Sequence, residues 1–393
     1  MGNASNQVSP GPQYHPLMDI SPRTTIVEQH PRTDIGQTLI GDVLEIGPGH
    51  APFPTSPAAR VTYADRSVEG GRDATWPELA GQSRGPDAEL DVDLDLDGLR
   101  AVADESFDSV VACHLIEHLA NPIAALREFE RVLRRGGRLV LVVPDRNRTF
   151  DSVREPTSLA HLLDDFGREV TEVDLEHISE FCEAIFGQPP IHPDAVRELH
   201  NPARLDAERV NLHRRRTIHV HCWTPEEFAV VLAGGLARGL LSWQLVDLYF
   251  FDDAGDQPDN EFGLVLERSQ SRCSPSEQCV AFVRQWVDLV LERNRDPHRL
   301  VALHSALLAN LDGWDELPAA TSVVVEALIT RLFDERANNE EDEVRTVAGQ
   351  VGAAQLSERL RASEARLSVV LESPSYRASR VVAKFLRPFR HRS

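Results

Sequence analysis

Hydrophobic residues in the first part of the chain occur in short runs, and each run ends in a polar turn. Four of these runs predict β-strands, over residues 43–46, 60–64, 107–113 and 138–143. Between the last two runs the spacing becomes helical. It predicts a helix over residues 121–135, with Asn121 as N-cap, Pro122 at the first helical position and Gly136–Gly137 as the stop. Strands that alternate with helices indicate a parallel sheet covered on both faces.

Acidic and aliphatic residues alternate strictly over residues 89–97. A period of two predicts a strand that is followed by an acidic turn. Because this segment lies between the predicted strands over residues 60–64 and 107–113, it adds a strand that is third in chain order.

A glycine pair follows the first predicted strand at Gly47 and Gly49, with the acid Glu45 just before the turn. Glycine permits a positive φ and lets a ligand approach without meeting a Cβ. At the end of the second strand, Asp65 can accept both hydroxyls of a ribose. Alone, the glycine pair fits either a nucleotide-type site or an ordinary tight turn.

Several motifs follow one another in a fixed order: Leu44-Glu-Ile-Gly-Pro-Gly49, Asp65, Asp93-Leu94-Asp95, Phe107-Asp108, Ile116-Glu117-His118-Leu119 and Leu133-Arg-Arg-Gly-Gly-Arg-Leu139. Together they resemble a class I S-adenosylmethionine-dependent methyltransferase, in the variety whose fourth strand is followed by Glu-His-Leu. The resemblance is strong over residues 39–145 and extends by architecture to about residue 270.

The resemblance implies an α/β fold, with a doubly wound, mostly parallel, seven-stranded Rossmann-like sheet over residues 31–270. A helix would open at Thr224, and the domain would end in an antiparallel hairpin over residues 242–250 and 261–267. Residues 149–216 would be inserted after the fifth strand as a substrate lid.

The resemblance also implies S-adenosyl-L-methionine as the cofactor. Gly47 and Gly49 would let the loop pass close to the methionine part, with Glu45 near its amino group. Cys113 and His114, at the end of the fourth strand, would face the methyl group.

Two acids would hold the nucleoside. Asp65 would bind the ribose hydroxyls, and Asp93 would lie by the adenine amine. Acids also stand at the alternate positions Asp91, Asp95 and Asp97, so which of these acids lies by the adenine amine stays open.

Histidines are dense in the inserted segment and just after it. A histidine can remove the proton from an acceptor hydroxyl near neutral pH. The candidate bases are His114, His118, His177, His219 and His221. Alternation places His219 and His221 on one face of a predicted short strand.

His114, Glu117 and His118 have i, i+3 and i+4 spacing and therefore share a face. They resemble the Glu-x-x-Glu-His element that binds a divalent ion in some ubiquinone-type and small-RNA ribose methyltransferases, with His114 in the first position. A divalent cation, Mg²⁺ or Mn²⁺, would suit a vicinal diol acceptor. The alternatives are a base without metal, or hydrogen bonds that only hold the loop.

Composition narrows the classes of partner. The chain has 393 residues and a formal net charge of −21, which argues against a nucleic-acid substrate because phosphate contacts dominate that affinity. Five scattered cysteines form no disulfide or zinc pattern. Without a signal-peptide pattern or a long apolar run, we expect a cytoplasmic protein with a mobile lead-in over residues 1–30.

The C-terminal part has a different character. Residues 271–372 carry aliphatic residues at helical spacing, which fits either amphipathic helices packed on the core or a coiled-coil homo-oligomer. Residues 373–393 form a basic amphipathic tail that resembles the tails of bacterial surface-glycan glycosyltransferases and methyltransferases. Such a tail either contacts an anionic membrane peripherally or stays solvated.

These features predict an O-methyltransferase that acts on a sugar hydroxyl of a bacterial cell-surface glycan or glycolipid. A small natural product or quinone is the alternative acceptor. A catalytically silent scaffold, which binds partners through its helical tail, is the alternative of another class.

Overall fold

The computed structural model describes residues 31–49, 51–67, 85–187, 198–216, 218–250, 260–270, 273–294 and 297–309. The predicted lead-in, the coiled coil beyond residue 309 and the basic tail lie outside the described residues. No helix in the described ranges combines the length and the apolar character that a membrane crossing requires.

Seven strands form one sheet in the order β3-β2-β1-β4-β5-β7-β6. They are β1 Gly41–Ile46, β2 Ala59–Asp65, β3 Leu90–Asp91, β4 Phe107–Cys113, β5 Leu133–Pro144, β6 Trp243–Phe250 and β7 Glu261–Arg268. The first five strands pair in parallel, whereas β7 pairs antiparallel with both β5 and β6. The sheet is therefore mixed, which corrects the prediction of a mostly parallel one, and the predicted antiparallel hairpin is present.

Eight α-helices are described: α1 Pro31–Gln37, α2 Pro122–Val132, α3 Leu159–Gly167, α4 Leu175–Phe186, α5 Ala207–Arg216, α6 Pro225–Ala237, α7 Pro275–Leu289 and α8 Pro297–Ala309. Helix α2 begins as predicted, because the Asn121 side chain accepts a hydrogen bond from the Ala124 amide at 3.1 Å. Such a cap is typically worth about 1 kcal/mol.

The predicted end of α2 is wrong. The helix ends at Val132, and Leu133 already pairs with Phe107 of β4. Leu133 is fully buried, so strand pairing and burial extend β5 over the glycine pair. Gly136, with φ +73°, lies inside β5 instead of stopping the helix.

Strand β3 is also shorter than the alternation predicts. After Asp91 the acids bind backbone amides: Asp93 accepts from Leu96 at 3.2 Å, and Asp95 accepts from Ala120 at 2.9 Å. Carboxylates that accept hydrogen bonds from backbone amides in this way favour turns over strand pairing.

Alternating residues of the central strands enter two different cores. Leu44 and Val110 belong to the larger core, which α2, α6, α7 and α8 cover. Val43 and Val111 belong to the smaller core on the other face, with Ile35 of α1. The sheet is therefore covered on both faces, as predicted.

The inserted segment carries α3, α4 and α5 and has a small core of its own, which includes Ile178, Phe181 and Val220. Residues 218–222 form no strand, so the prediction of a short strand there is wrong. The amides of Val220 and His221 instead both donate to the carbonyl of Glu117, at 2.7 and 3.0 Å. After this segment, α6 opens at Thr224 with a capping box, as predicted.

Candidate active site

The glycine loop lies at the carboxyl edge of the parallel strands. Gly47 and Gly49 have φ values of +67° and +56°, which favour glycine at both positions. A Cβ at Gly49 would meet only the Gly47 carbonyl, at 4.0 Å. The loop therefore faces enough open space for a ligand to approach the backbone.

Strand register brings three of the predicted cofactor residues together. Ile46 pairs with both Ala64 and Ala112, so Gly47, Asp65 and Cys113 leave the sheet side by side. The Gly47 amide donates to the Ala64 carbonyl at 2.8 Å, which fixes the loop beside the end of β2.

Glu45 is 2% exposed and holds one carboxylate oxygen without a partner. Its Oε1 accepts from the Phe53 amide at 2.7 Å, whereas Oε2 makes no hydrogen bond among the described residues. Burial raises the pKa of Glu45 to about 7, although the Phe53 amide and the Arg32 charge oppose the rise. A cationic group of a ligand would relieve this buried carboxylate.

The acids of the second and third strands differ in their roles. Asp65 pairs with Asp91 across β2 and β3, and Asp91 accepts from the Ser67 amide at 2.8 Å. Asp93 lies in the following turn, 3.9 Å from the Arg66 guanidinium. Asp95 instead caps the backbone at Ala120, so a cofactor contact at the third strand is left to Asp91 or Asp93.

The end of β4 carries a neutral thiol and a strained histidine. Burial, with the carboxylates of Glu261 and Glu117, raises the pKa of Cys113 to about 12, although the charge of Arg32 lowers it. His114 has φ +49°, a conformation that few residues other than glycine adopt. Backbone strain of this kind concentrates at functional sites.

His114 is paired with Glu261 of β7, at 2.5 Å between Nε2 and Oε2. Burial lowers the pKa of His114, but the hydrogen bond to Glu261 and the charge of Glu117 raise it more, so the net shift is upward. A histidine whose pKa is raised by a carboxylate partner holds its proton more tightly, which suits it less to remove a proton from an acceptor.

Glu261 also binds Arg32 of α1. The Arg32 Nε donates to Oε1 at 2.7 Å, and its Nη2 contacts Oε2. Burial would raise the pKa of Glu261, but its hydrogen bonds with His114 and Arg32 lower it to about 2. Sequence reasoning missed Arg32 and used Glu261 only as the start of a strand.

Glu117, His118 and His219 form a second group, named here the Glu117 cluster. One ligand atom from each lies within 4.8 Å of the others. Glu117 is 1% exposed, and neither of its carboxylate oxygens makes a hydrogen bond of normal geometry among the described residues. His118 Nδ1 donates to the Ile218 carbonyl at 2.8 Å, and its Nε2 lies 3.6 Å from Glu117.

His219 is held by a buried carboxylate. Its Nδ1 lies 2.6 Å from Asp151 Oδ2, and Asp151 also binds Arg154 at 2.7 Å. Burial raises the pKa of Asp151, but the hydrogen bond and charge of His219 and the charge of Arg154 lower it overall. In the neutral imidazole, an Nδ1 that donates to Asp151 leaves Nε2 of His219 with its lone pair. Asp151 and Arg154 had no signal in the sequence pattern.

Residues 44–141 match a protein family described as a methyltransferase domain. This segment is similar to a methyltransferase domain. The match indicates an S-adenosylmethionine-dependent methyltransferase, and it covers the strands whose ends carry the glycine loop, Asp65 and His114. No curated protein matches this chain.

Solved structures that match this chain share little sequence with it. A SAM-dependent methyltransferase from Methanosarcina mazei is 17% identical and covers 61% of this chain and 98% of its own, with a TM-score of 0.32. One from Aquifex aeolicus is 10% identical and covers 58% of this chain and 82% of its own, with a TM-score of 0.29. A protein from Rhodobacter sphaeroides, named for Zn-dependent alcohol dehydrogenases, is 16% identical and covers 60% of this chain and 88% of its own, with a TM-score of 0.35. Scores this low carry no argument about function.

The structure brings the predicted metal ligands close together and adds a further histidine. His114 Nδ1 lies 3.7 Å from Glu117, but its other nitrogen is paired with Glu261. His219 also has a ring nitrogen within 4.8 Å of Glu117 and His118. The donor set His114, Glu117 and His118 stays a prediction, and His219 is a further candidate ligand.

Four of the five predicted bases fall into two groups, and His114 is paired separately with Glu261. His118 and His219 belong to the Glu117 cluster, with ring centroids 4.9 Å apart. His177 and His221 instead contact His161 inside the inserted segment. Sequence reasoning could not separate the groups, because His219 and His221 are only two residues apart.

Proposed function

We propose that the chain is an S-adenosylmethionine-dependent O-methyltransferase that acts on a hydroxyl, in a sugar of a bacterial cell-surface glycan or glycolipid. The observation that carries this proposal is His219, whose Nδ1 is fixed by buried Asp151 at 2.6 Å. Methylation of a hydroxyl requires loss of its proton, and an imidazole oriented by a carboxylate can accept that proton.

Four groups would hold the cofactor. The backbone at Gly47 and Gly49 would lie against its methionine part, and the unpartnered oxygen of Glu45 would receive its ammonium. Asp65 would accept the ribose hydroxyls, and Asp93 or its neighbour Asp91 would lie by the adenine amine. Cys113 and His114 would border the methyl group.

The reaction would be an in-line displacement. The acceptor oxygen forms a bond to the methyl carbon while the carbon–sulfur bond breaks, which yields the methyl ether and S-adenosylhomocysteine. His219 Nε2 takes the hydroxyl proton, and Asp151 stabilises the resulting imidazolium. Most of the acceleration would come from holding oxygen, methyl and sulfonium in line.

A divalent cation at the Glu117 cluster is the second candidate. Glu117 offers two buried oxygens without a hydrogen bond among the described residues. The Nδ1 atom of His118 bonds the Ile218 carbonyl and that of His219 bonds Asp151, so the Nε2 atom of each histidine is left as a ligand. This donor set fits Mg²⁺ or Mn²⁺ poorly and softer divalent ions better, because two of its three ligands are imidazoles. When bound, such an ion would lower the pKa of the acceptor hydroxyl.

Transfer of tritiated methyl tests the acceptor. Label in lipid-linked glycan supports the sugar proposal, whereas label in small-molecule extracts supports a natural product or quinone. Loss of transfer after chelation, restored by added metal, would favour the cation over His219 as a base. A chain that binds no S-adenosylhomocysteine would instead be the silent scaffold.

The tail and the helical region remain part of the proposal on their sequence alone. Residues 373–393 would contact anionic lipid, and the heptad-like residues before them would pair two copies of the chain. Deletion of residues 374–393 should reduce co-sedimentation with phosphatidylglycerol vesicles and leave cofactor affinity unchanged. Equal sedimentation of both proteins would contradict membrane contact.

A further inference from the structure

We propose that the inserted segment binds one Zn²⁺ ion through the lid cluster, which consists of His161, Asp165, His177 and His221. This site is separate from the Glu117 cluster, and its assignment does not rest on the proposed methyl transfer. Its residues come from three elements: α3 carries His161 and Asp165, α4 carries His177, and the irregular segment after α5 carries His221.

Several distances within the lid cluster are close to those between the ligands of tetrahedral zinc. Ligands about 2.0–2.1 Å from a tetrahedral Zn²⁺ are about 3.3 Å from one another. Asp165 Oδ2 lies 3.2 Å from His161 Nε2 and 3.5 Å from His177 Nε2. The two Nε2 atoms are 2.8 Å apart, and one nitrogen of His221 lies within 4.8 Å of each.

The cluster contains buried polar atoms that make no hydrogen bond of normal geometry among the described residues. His221 is 0% exposed, and neither of its ring nitrogens makes a hydrogen bond of normal geometry among the described residues. Asp165 is 0% exposed, and its Oδ2 is likewise without one. Buried polar groups are normally hydrogen-bonded, so the ring nitrogens of His221 and the Oδ2 atom of Asp165 indicate a missing ligand.

Outer partners orient the cluster inward. His177 Nδ1 is held by Asp174 Oδ1 at 2.9 Å, which directs the lone pair of Nε2 to the centre. Arg168 binds the other oxygen of Asp165 at 2.7 Å. Metal-ligating imidazoles and carboxylates in proteins usually have such second partners.

Ligand chemistry selects the ion. Three imidazoles and one carboxylate suit zinc, whereas Mg²⁺ and Ca²⁺ prefer oxygen ligands. Four protein ligands leave no open position, which is typical of a structural zinc. The partly exposed His161 gives the ion a path into the site.

The ion would fix the segment that builds the active site. His221 lies two residues after His219 and three after Ile218, whose carbonyl holds His118. Zinc would tie these residues to α3 and α4, so the lid cluster would position the Glu117 cluster without touching the acceptor.

Metal analysis of the full-length protein tests the proposal. After dialysis against metal-free buffer, elemental analysis should find about one zinc per chain. His221→Asn and Asp165→Asn should each lower zinc affinity at least tenfold. The matched control His304→Asn, on α8, should retain zinc. Wild-type protein that takes up no zinc at micromolar concentration would overturn the proposal.

Two further variants locate the ion. Glu117→Gln should keep the zinc, and so should Cys182→Ser, which alters another buried group of cysteine and histidine near α4. Loss of zinc in either variant, with retention in His221→Asn, would overturn the assignment.

Cobalt substitution guards against misfolding of the variants. Wild-type protein depleted by a chelator and loaded with Co²⁺ should give the intense visible bands of a tetrahedral site, and one equivalent of Zn²⁺ should abolish them. Weak octahedral bands in a protein with a native circular-dichroism spectrum would contradict a four-ligand site.

Discussion

The two histidine clusters of this chain are close in sequence but differ in what holds them. In the Glu117 cluster, His118 and His219 are each anchored through Nδ1, to a carbonyl and to Asp151, and both side chains are partly exposed. In the lid cluster, His221 has no hydrogen bond of normal geometry in the described structure and is fully buried. An imidazole that is oriented and accessible is suited to chemistry, whereas a buried one without a partner indicates a structural ion.

The same contrast separates the cofactor edge from the inserted segment. At the edge, most acids are satisfied by backbone amides, as Asp91 is by Ser67 and Asp95 by Ala120. Glu45 is the exception, with one oxygen left over. Buried polar atoms without a hydrogen bond therefore mark where the carboxyl edge of the sheet and the inserted segment would each receive a ligand.

The largest expected effect comes from His219. His219→Ala should lower kcat for methyl transfer by about 10²–10⁴-fold, because the proposed general base is lost. The dissociation constant for S-adenosylmethionine should stay within twofold. Single-turnover transfer of labelled methyl, with His304→Asn as the control, measures this. An unchanged kcat would remove His219 from the chemistry.

Removal of the lid metal should affect stability before chemistry. At free Zn²⁺ a thousandfold above its dissociation constant, binding adds about 4 kcal/mol to the free energy of unfolding. His221→Asn should lose that increment, and chelated wild type should unfold like the variant. Urea titrations with and without zinc check this. If zinc raised the free energy of unfolding of the variant as much as that of the wild type, the contrast between a structural ion at the lid cluster and a reactive Glu117 cluster would fail.

Glu45 should make the stability of the protein depend on pH. Its pKa of about 7 in the folded protein exceeds the ordinary value of 4.5, so the folded state retains the proton longer than the unfolded chain. Its contribution is present below pH 4.5 and is lost as pH rises through 7. Glu45→Gln should therefore gain stability relative to wild type, by up to about 3 kcal/mol at pH 8 and little at pH 4.5. Urea unfolding across this range would contradict the prediction if the difference stayed constant.

Asn121 should have the smallest effect. It caps α2 and donates weakly from Nδ2 to the carbonyls of Asp165 and Val170 at 3.4 Å, between the two clusters. Asn121→Ala should cost about 1–2 kcal/mol of stability and change neither zinc content nor kcat. A loss of zinc would mean that the lid cluster depends on α2 as well as on α3 and α4.

Short-range patterns predicted the fold well where local chemistry decides it. Strand β4 has the predicted bounds, the Asn121 cap is present, and Thr224 opens α6. The end of α2 was wrong, because burial of Leu133 outweighed the stop signal of the glycine pair.

The site was predictable only in part. Glu45, Gly47, Asp65 and Cys113 come from strands adjacent in the sheet, so motif order was enough to group them. Arg32 and Glu261 are 229 residues apart, and Asp151 is 68 residues from His219. No local spacing encodes such pairs, and chain folding alone assigns His219 and His221 to different clusters.

Titration calorimetry with S-adenosylhomocysteine tests the central claim most directly. Wild type should bind one equivalent per chain with a dissociation constant of about 1–100 µM. Asp65→Ala should weaken binding at least tenfold, and His219→Ala should leave it unchanged. No heat with the wild type, or equal affinity in Asp65→Ala, would contradict a methyl donor held at the carboxyl edge of the sheet.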